Sequence, residues 1–132
     1  MIYFDSSALL KLLFEEPESA QLEEWVSERS AIPAVSSELV KIEVIRAARR
    51  LDRQVLAAAR RLVAQLDLVP MTSDLIESAG EVGPDHLRSL DAIHLASALS
   101  LGSALTAFVA YDARLTAAAR DAGLPITQPG VT

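Results

Sequence analysis

Short apolar runs, each closed by a polar or helix-breaking residue and followed by a helical pattern, recur along the chain. This alternation limits the fold more than any other feature. IYF (2–4) ends at Asp5, AIPAVSS (31–37) holds a brief strand, and LDLVP (66–70) is closed by Pro70. TAFVAYD (106–112) is the clearest strand pattern, and PITQ (125–128) is a last short one. Between them lie helical patterns over about 6–14, up to about Arg29, 37–51, about 53–66, 72–82, 89–102 and from Ala113 to a stop at Gly123. Ser6 or Ser7, Ser36 or Ser37, and Ser89 stand where a helix cap is wanted, because a hydroxyl there accepts orphan backbone N–H groups. Strands alternating with amphipathic helices imply an α/β sandwich with a mainly parallel sheet.

The 132 residues suit a single domain, 1–132, with no repeat or linker. There is no cysteine, which excludes disulfides and thiolate metal sites and suits a reducing cytoplasm. The longest nearly uncharged stretch, Ala92 to Tyr111, is broken by His94, Ser97, Ser100, Gly102 and Ser103, so no membrane span is expected. The opening MIYFDSSALL lacks the basic region and cleavage site of a signal peptide. The expectation is therefore a cytoplasmic protein with no membrane partner. The formal charge of −6 argues against indiscriminate nucleic-acid binding. Yet Arg46, Arg49, Arg50, Arg53, Arg60 and Arg61 cluster, whereas Glu15, Glu16, Glu18, Glu23, Glu24 and Glu28 crowd an early segment. A basic surface can therefore coexist with an acidic total.

Four acids occupy informative places. Asp5 and Asp112 each follow an apolar strand and precede a helix, and in open α/β sheets ligands bind outside the carboxyl ends of strands. Each also fits a plain helix cap. Glu43 lies inside a helix, at the edge of an apolar arc of Val40, Val44, Ala47 and Leu51, with a surface ion pair to Arg46 or Arg50 as the ordinary alternative. Asp91 sits in a nearly all-apolar helix, the mark of a buried one, where a carboxylate is costly unless paired or bound to a metal. Its ordinary alternative is a first-turn acid favoured by the helix N-terminus. Four carboxylates converging in one crevice repel one another, and a divalent cation relieves that. Oxygen-only ligands suit Mg2+ or Mn2+.

These segments together resemble the PIN-domain ribonucleases, specifically the VapC toxins of bacterial toxin–antitoxin pairs. The matching stretches are IYFDSSALLKLLFEEPES, SSELVKIEVIRAARR, LRSLDAIHLASAL and FVAYDARLTAAARDAGL, in the family's order and over almost the whole chain. The resemblance implies a three-layer sandwich with about five strands. It implies catalytic acids at Asp5, Glu43, Asp91 and Asp112, with Mg2+ or Mn2+ as cofactor. It also implies an RNA substrate (transfer RNA is one example in the family), a VapB-like antitoxin and a homodimer. Some PIN domains carry a further acid just after the fourth, but Asp112 is followed here by Ala113 and Arg114.

On this reading Asp5 and Asp91 bind the metal directly, and Glu43 and Asp112 bind it directly or through water. Ser6 and Ser7 orient Asp5 or a bound water, or act as caps. His94, one turn from Asp91, reads as a histidine satisfied by packing rather than a general base. Arg46, Arg50 and Arg114 are candidates for RNA phosphates, with a solvated helical face as the alternative. Leu9, Leu13 and Trp25 are candidates for the antitoxin interface, tryptophan being enriched at binding hot spots. A receiver-like phosphoacceptor is disfavoured because Asp5 stands alone and neither Lys11 nor Lys41 is late in the chain. A haloacid-dehalogenase-like phosphatase is disfavoured because Ser7 replaces its second aspartate.

Overall fold

In the computed structural model, which describes all 132 residues, the apolar runs become five parallel strands. They are β1 (Ile2–Phe4), β2 (Ala34–Ser37), β3 (Asp67–Val69), β4 (Ala107–Val109) and β5 (Ile126–Thr127), in the spatial order β3-β2-β1-β4-β5. Seven helices connect them: α1 (Ser6–Lys11), α2 (Ser19–Ser27), α3 (Val40–Leu51), α4 (Leu56–Ala64), α5 (Ser73–Ala79), α6 (Ser89–Leu99) and α7 (Ala113–Asp121). Arg53–Val55 and Gly102–Ala104 are single 3-10 turns.

The period-two alternation of strand side chains builds both core layers. Ile2 and Phe4 of β1, with Ala107 and Val109 of β4, face Ala8, Leu9, Leu22, Val40, Val44, Ala59 and Val63 of α1 to α4. Tyr3 and Phe108 point the other way, toward Leu95 and Ala98 of α6 and Leu115, Ala118 and Ala119 of α7. Helix α5 packs chiefly on α6, with Leu75 and Ala79 against Ala92 and Ala96, and Val69 of β3 joins the same cluster. The sheet is thus covered on both faces, as a parallel sheet requires. The expected three layers and five strands are present.

Several helix starts differ from the serine-capped expectation. Asp5, not Ser6 or Ser7, caps α1. Ser36 and Ser37 belong to β2, where Ser36 Oγ donates to Phe4 O at 2.6 Å and Ser37 Oγ accepts from Leu39 N at 3.1 Å. Ser89 is the first residue of α6 rather than its cap. Leu51 is 61% exposed, so it does not extend the buried face of α3. Gly83, at φ +75°, lets the chain turn ahead of α6, and a Cβ there would meet Leu87 Cδ2 at 2.8 Å. No helix is long and apolar enough to cross a membrane.

Leu95 is fully enclosed between α6, the sheet and α7. Leu95→Ala is expected to lower stability by about 2–5 kcal/mol, the range for a leucine truncated in a packed core, when measured by urea unfolding.

Candidate active site

In a parallel sheet with helical crossovers, the N-termini of the helices gather at the carboxyl edge of the strands. Every one of the four predicted acids lies at such a terminus. Asp5 and Asp112 are the N-caps of α1 and α7, and Glu43 and Asp91 lie in the first turns of α3 and α6. Adjacent β1 and β4 feed Asp5 and Asp112, and their junction is where the strand order reverses. Such a switch point opens a crevice in doubly wound sheets. Partial positive charge at the four helix ends favours the acids there.

Asp5 is the most enclosed, at 3% exposure. Its Oδ1 accepts from Ala8 N at 2.9 Å and from Ser7 Oγ at 2.6 Å. Ser7 Oγ also accepts from Tyr111 N at 3.0 Å, which ties the turn after β4 to the carboxylate. Ser6 has no such bond, so of the two expected serines only Ser7 holds Asp5. Burial pushes the Asp5 carboxyl up from 3.8 to about 6, and the Glu43 charge adds to the rise. His94, Ser7 and Ala8 N oppose it without cancelling it. Every fully enclosed side-chain nitrogen or oxygen has a hydrogen-bond partner. Asp5 Oδ2 makes no hydrogen bond within the protein, so it opens onto the crevice.

Glu43 does not pair with Arg46 or Arg50. Its Oε1 accepts from His94 Nε2 at 2.7 Å, and His94 Nδ1 lies 2.7 Å from Tyr3 Oη. Burial, then the Asp5 charge, hold the Tyr3 phenol well above its ordinary range. The phenol therefore keeps its proton and donates to Nδ1, which leaves Nε2 as the donor to Glu43. His94 is buried and fully satisfied, as a packed histidine should be.

Asp91 and Asp112 form the other side. Asp112 Oδ1 accepts from Arg114 N at 3.0 Å and Leu115 N at 2.9 Å. Its Oδ2 lies 3.8 Å from Arg88 Nη2, and Asp91 Oδ2 lies 3.7 Å from Arg88 Nε. Burial raises the Asp91 carboxyl, and the charges of Asp112 and Glu43 raise it further against Arg88 and His94. The four acids thus act on one another electrostatically around a single crevice.

No three carboxylates or imidazoles already form a close metal cage. The chemistry of the donor set nevertheless fits a hard divalent cation. All four acids offer only oxygen, two are shifted upward by burial and mutual repulsion, and one buried carboxylate has an oxygen facing open space.

Sequence reasoning missed Tyr3 and Arg88. Arg88 stands three residues before Asp91, a visible pairing distance on a helix, but its approach to Asp112 has no local signature. Arg46, Arg50 and Arg114 are exposed, and their side chains make no ion pair within the protein. Leu13 and Trp25 are half-buried, and Arg29 stacks 4.2 Å over the Trp25 ring. Leu9 is corrected as an interface candidate: it is completely enclosed in the core and offers no surface to a partner.

Residues 2–121 match the PIN domain family. Ribonuclease VapC47 of Mycobacterium tuberculosis (strain CDC 1551 / Oshkosh) is 43% identical over 133 residues, covering 98% of each chain. Ribonuclease VapC46 of Mycobacterium tuberculosis (strain ATCC 25618 / H37Rv) is 41% identical, covering 97% of each. Among solved structures, Mycobacterium tuberculosis VapC20, a toxin that cleaves the sarcin-ricin loop, superposes with a TM-score of 0.74 at 19% identity, covering 98% of this chain and all of that one. VapBC2 of Rickettsia felis, bound to a promoter DNA fragment, gives 0.75 at 12% identity, covering 98% and 99%. At those identities the structural matches establish the fold.

The Asp5 shift has a signed consequence. Folded, the carboxyl titrates near 6; unfolded, near 3.8. Between those values the folded protein holds a proton that the unfolded chain has released, so stability falls as pH rises through about 4 to 6. Metal-free Asp5→Asn, which keeps a capping oxygen, is expected to be more stable than the parent at pH 7.5 by on the order of 2–3 kcal/mol, with the difference fading toward pH 4. Urea unfolding at both pH values in EDTA measures it, and a variant no more stable at pH 7.5 would contradict the burial cost.

Proposed function

The chain belongs to the PIN-domain family, and from that membership we propose that it is a VapC-type toxin, an endoribonuclease that hydrolyses RNA phosphodiester bonds and thereby inhibits translation. The observation that carries this is the convergence of Asp5, Glu43, Asp91 and Asp112 on the carboxyl edge of one parallel sheet. The near full-length identity to proteins named ribonucleases supports the same activity.

The cofactor is a divalent metal ion, with Mg2+ or Mn2+ suited to an all-oxygen site. When bound, such an ion lowers the pKa of water and neutralises charge on phosphate oxygens. Asp5 and Asp91 would hold it directly, and Glu43 and Asp112 would hold it directly or through water. Ser7 fixes the rotamer of Asp5, and His94 fixes that of Glu43. So held, the carboxylates orient a water for in-line attack on phosphorus. The ribose 3′ oxygen leaves, and the fragments carry 5′ phosphates. No side chain needs to become a covalent nucleophile.

The substrate reaches the crevice along α3. Arg50 lies seven residues beyond Glu43 on nearly the same helical face, about 10 Å along the axis, and Arg46 lies between them. Both are exposed and unpaired, which supports phosphate binding. Arg114, exposed two residues after Asp112, supplies a further basic group on the α7 side of the sheet. The kinship with a VapBC pair supports a VapB-like antitoxin as partner, and Leu13 and Trp25 supply half-buried apolar surface for it. Transfer RNA as target, a homodimer and a cytoplasmic location complete the reading.

Three outcomes test it. Asp91→Asn at saturating Mn2+ is expected to lower the cleavage rate by more than about 100-fold, since residues that merely support metal ligands are worth roughly 10–100-fold. EDTA is expected to abolish cleavage of total bacterial RNA, and full activity in either case would remove the metal-dependent mechanism. Arg46→Glu with Arg50→Glu is expected to reduce the slope of log affinity against log salt by about 1.4 for single-stranded RNA. An unchanged slope would eliminate these arginines as phosphate contacts.

A further inference from the structure

Arg88 is the cation of the acidic crevice, and its bonding is incomplete. It sits at the N-cap of α6 and gives that helix no side-chain cap. Its guanidinium lies between Asp91 and Asp112, at 3.7 Å and 3.8 Å, which is beyond hydrogen-bonding distance on both sides. It is 64% exposed and makes no side-chain hydrogen bond, so all five N–H donors are free. No other arginine or lysine touches any of the four acids through its side chain.

We propose that Arg88 is a phosphate-binding residue of this site that exchanges partners: it balances Asp91 and Asp112 in the metal-free protein, and takes a phosphate of the RNA strand once a divalent ion claims those carboxylates. The inference rests on the metal-dependent nuclease reading. Its physical logic has three parts. Exposed ion pairs at such distances are weak, so leaving the carboxylates costs little. A dication bound to the same two carboxylates repels the guanidinium, because like charges a few ångströms apart disfavour each other. A guanidinium with free, forked donors suits phosphate oxygens, which it can engage with two parallel hydrogen bonds. Arg88 is therefore placed to meet substrate charge only in the loaded site. Before loading, it keeps Asp91 and Asp112 from repelling each other unopposed.

This exchange moves two measurements in opposite directions, which a merely structural role would not do. In Arg88→Gln the competing cation is gone. Mn2+ binding without RNA, followed by the electron paramagnetic resonance signal of free Mn2+, is expected to tighten by about three- to tenfold, in line with one exposed charge removed from the neighbourhood of a dication. The same variant, at saturating Mn2+, is expected to cleave total bacterial RNA at least about tenfold more slowly, the scale of a lost charge-assisted contact to the reacting phosphate. Arg88→Lys keeps the charge and is expected to bind Mn2+ like the parent and to recover part of the rate. Urea unfolding checks that each variant is folded, as expected for so exposed a side chain. Unchanged or weaker Mn2+ binding in Arg88→Gln, or a parental cleavage rate at saturating Mn2+, would overturn the exchange. If the parent itself neither binds Mn2+ nor cleaves RNA, the nuclease reading falls and takes this one with it, an outcome distinct from failure of the variant alone.

Discussion

Charge repulsion at one edge of the sheet is the constraint around which the rest is arranged. A parallel sheet delivers helix N-termini to the carboxyl ends of its strands, and the chain places an acid at four of them. The helix ends make that tolerable, since their exposed N–H groups favour negative charge. They do not make it comfortable: burial and the neighbouring acids still raise the carboxyls of Asp5 and Asp91. The crevice is thus prepared for positive charge.

The two sides of the crevice are held differently. On one side the site is continuous with the core. Tyr3 stacks on Phe108 at a ring-centroid distance of 5.4 Å, meets His94 edge-on, and donates to it, and His94 donates to Glu43. Each member is buried or half-buried, so Glu43 is aimed by atoms that cannot move without disturbing the packing between the sheet and α6. Ser7 does the same for Asp5, and by also bonding Tyr111 N it couples the turns after β1 and β4. On the other side Asp91 and Asp112 face the solvated, weakly paired guanidinium of Arg88. A firmly bonded half that fixes its carboxylates and a weakly paired half match the proposed binding of a metal ion and a phosphate at this edge.

Away from the site, the early acidic segment is partly structural. Lys11, largely enclosed, bonds Glu16 at 3.1 Å and Glu18 at 2.9 Å and lies 4.7 Å from the centre of the Tyr111 ring. Tyr111 donates in turn to Pro129 O. The turn between α1 and α2 is thereby fastened beneath the residue that precedes Asp112. The acidic and basic clusters seen along the chain therefore divide: some acids brace the fold, while the arginines of α3 remain free on its surface.

Much was legible from the residues alone, for a local reason. Strand-to-helix punctuation depends on short-range patterns of apolar, capping and breaking residues, so the five strands, the parallel class and the positions of Asp5 and Asp112 at strand ends could be read directly. Glu43 and Asp91 stood out by their places on helices, and the family likeness assigned the same four acids to one catalytic set. What the residues could not reveal was the choice of partner. The hydroxyls of Ser6 and Ser7 suit the start of α1 equally well as caps, but only the fold shows Asp5 capping and Ser7 supporting it. Glu43 has arginines at helical spacing, yet it bonds His94, fifty-one positions away. Leu9 reads as an apolar helix face, and only packing shows that face to be wholly inside. Arg88 meets Asp112 because two helices start side by side at the sheet edge. Periodicity and capping are properties of neighbours in the chain, whereas hydrogen bonds and ion pairs between distant residues exist only once the layers have packed.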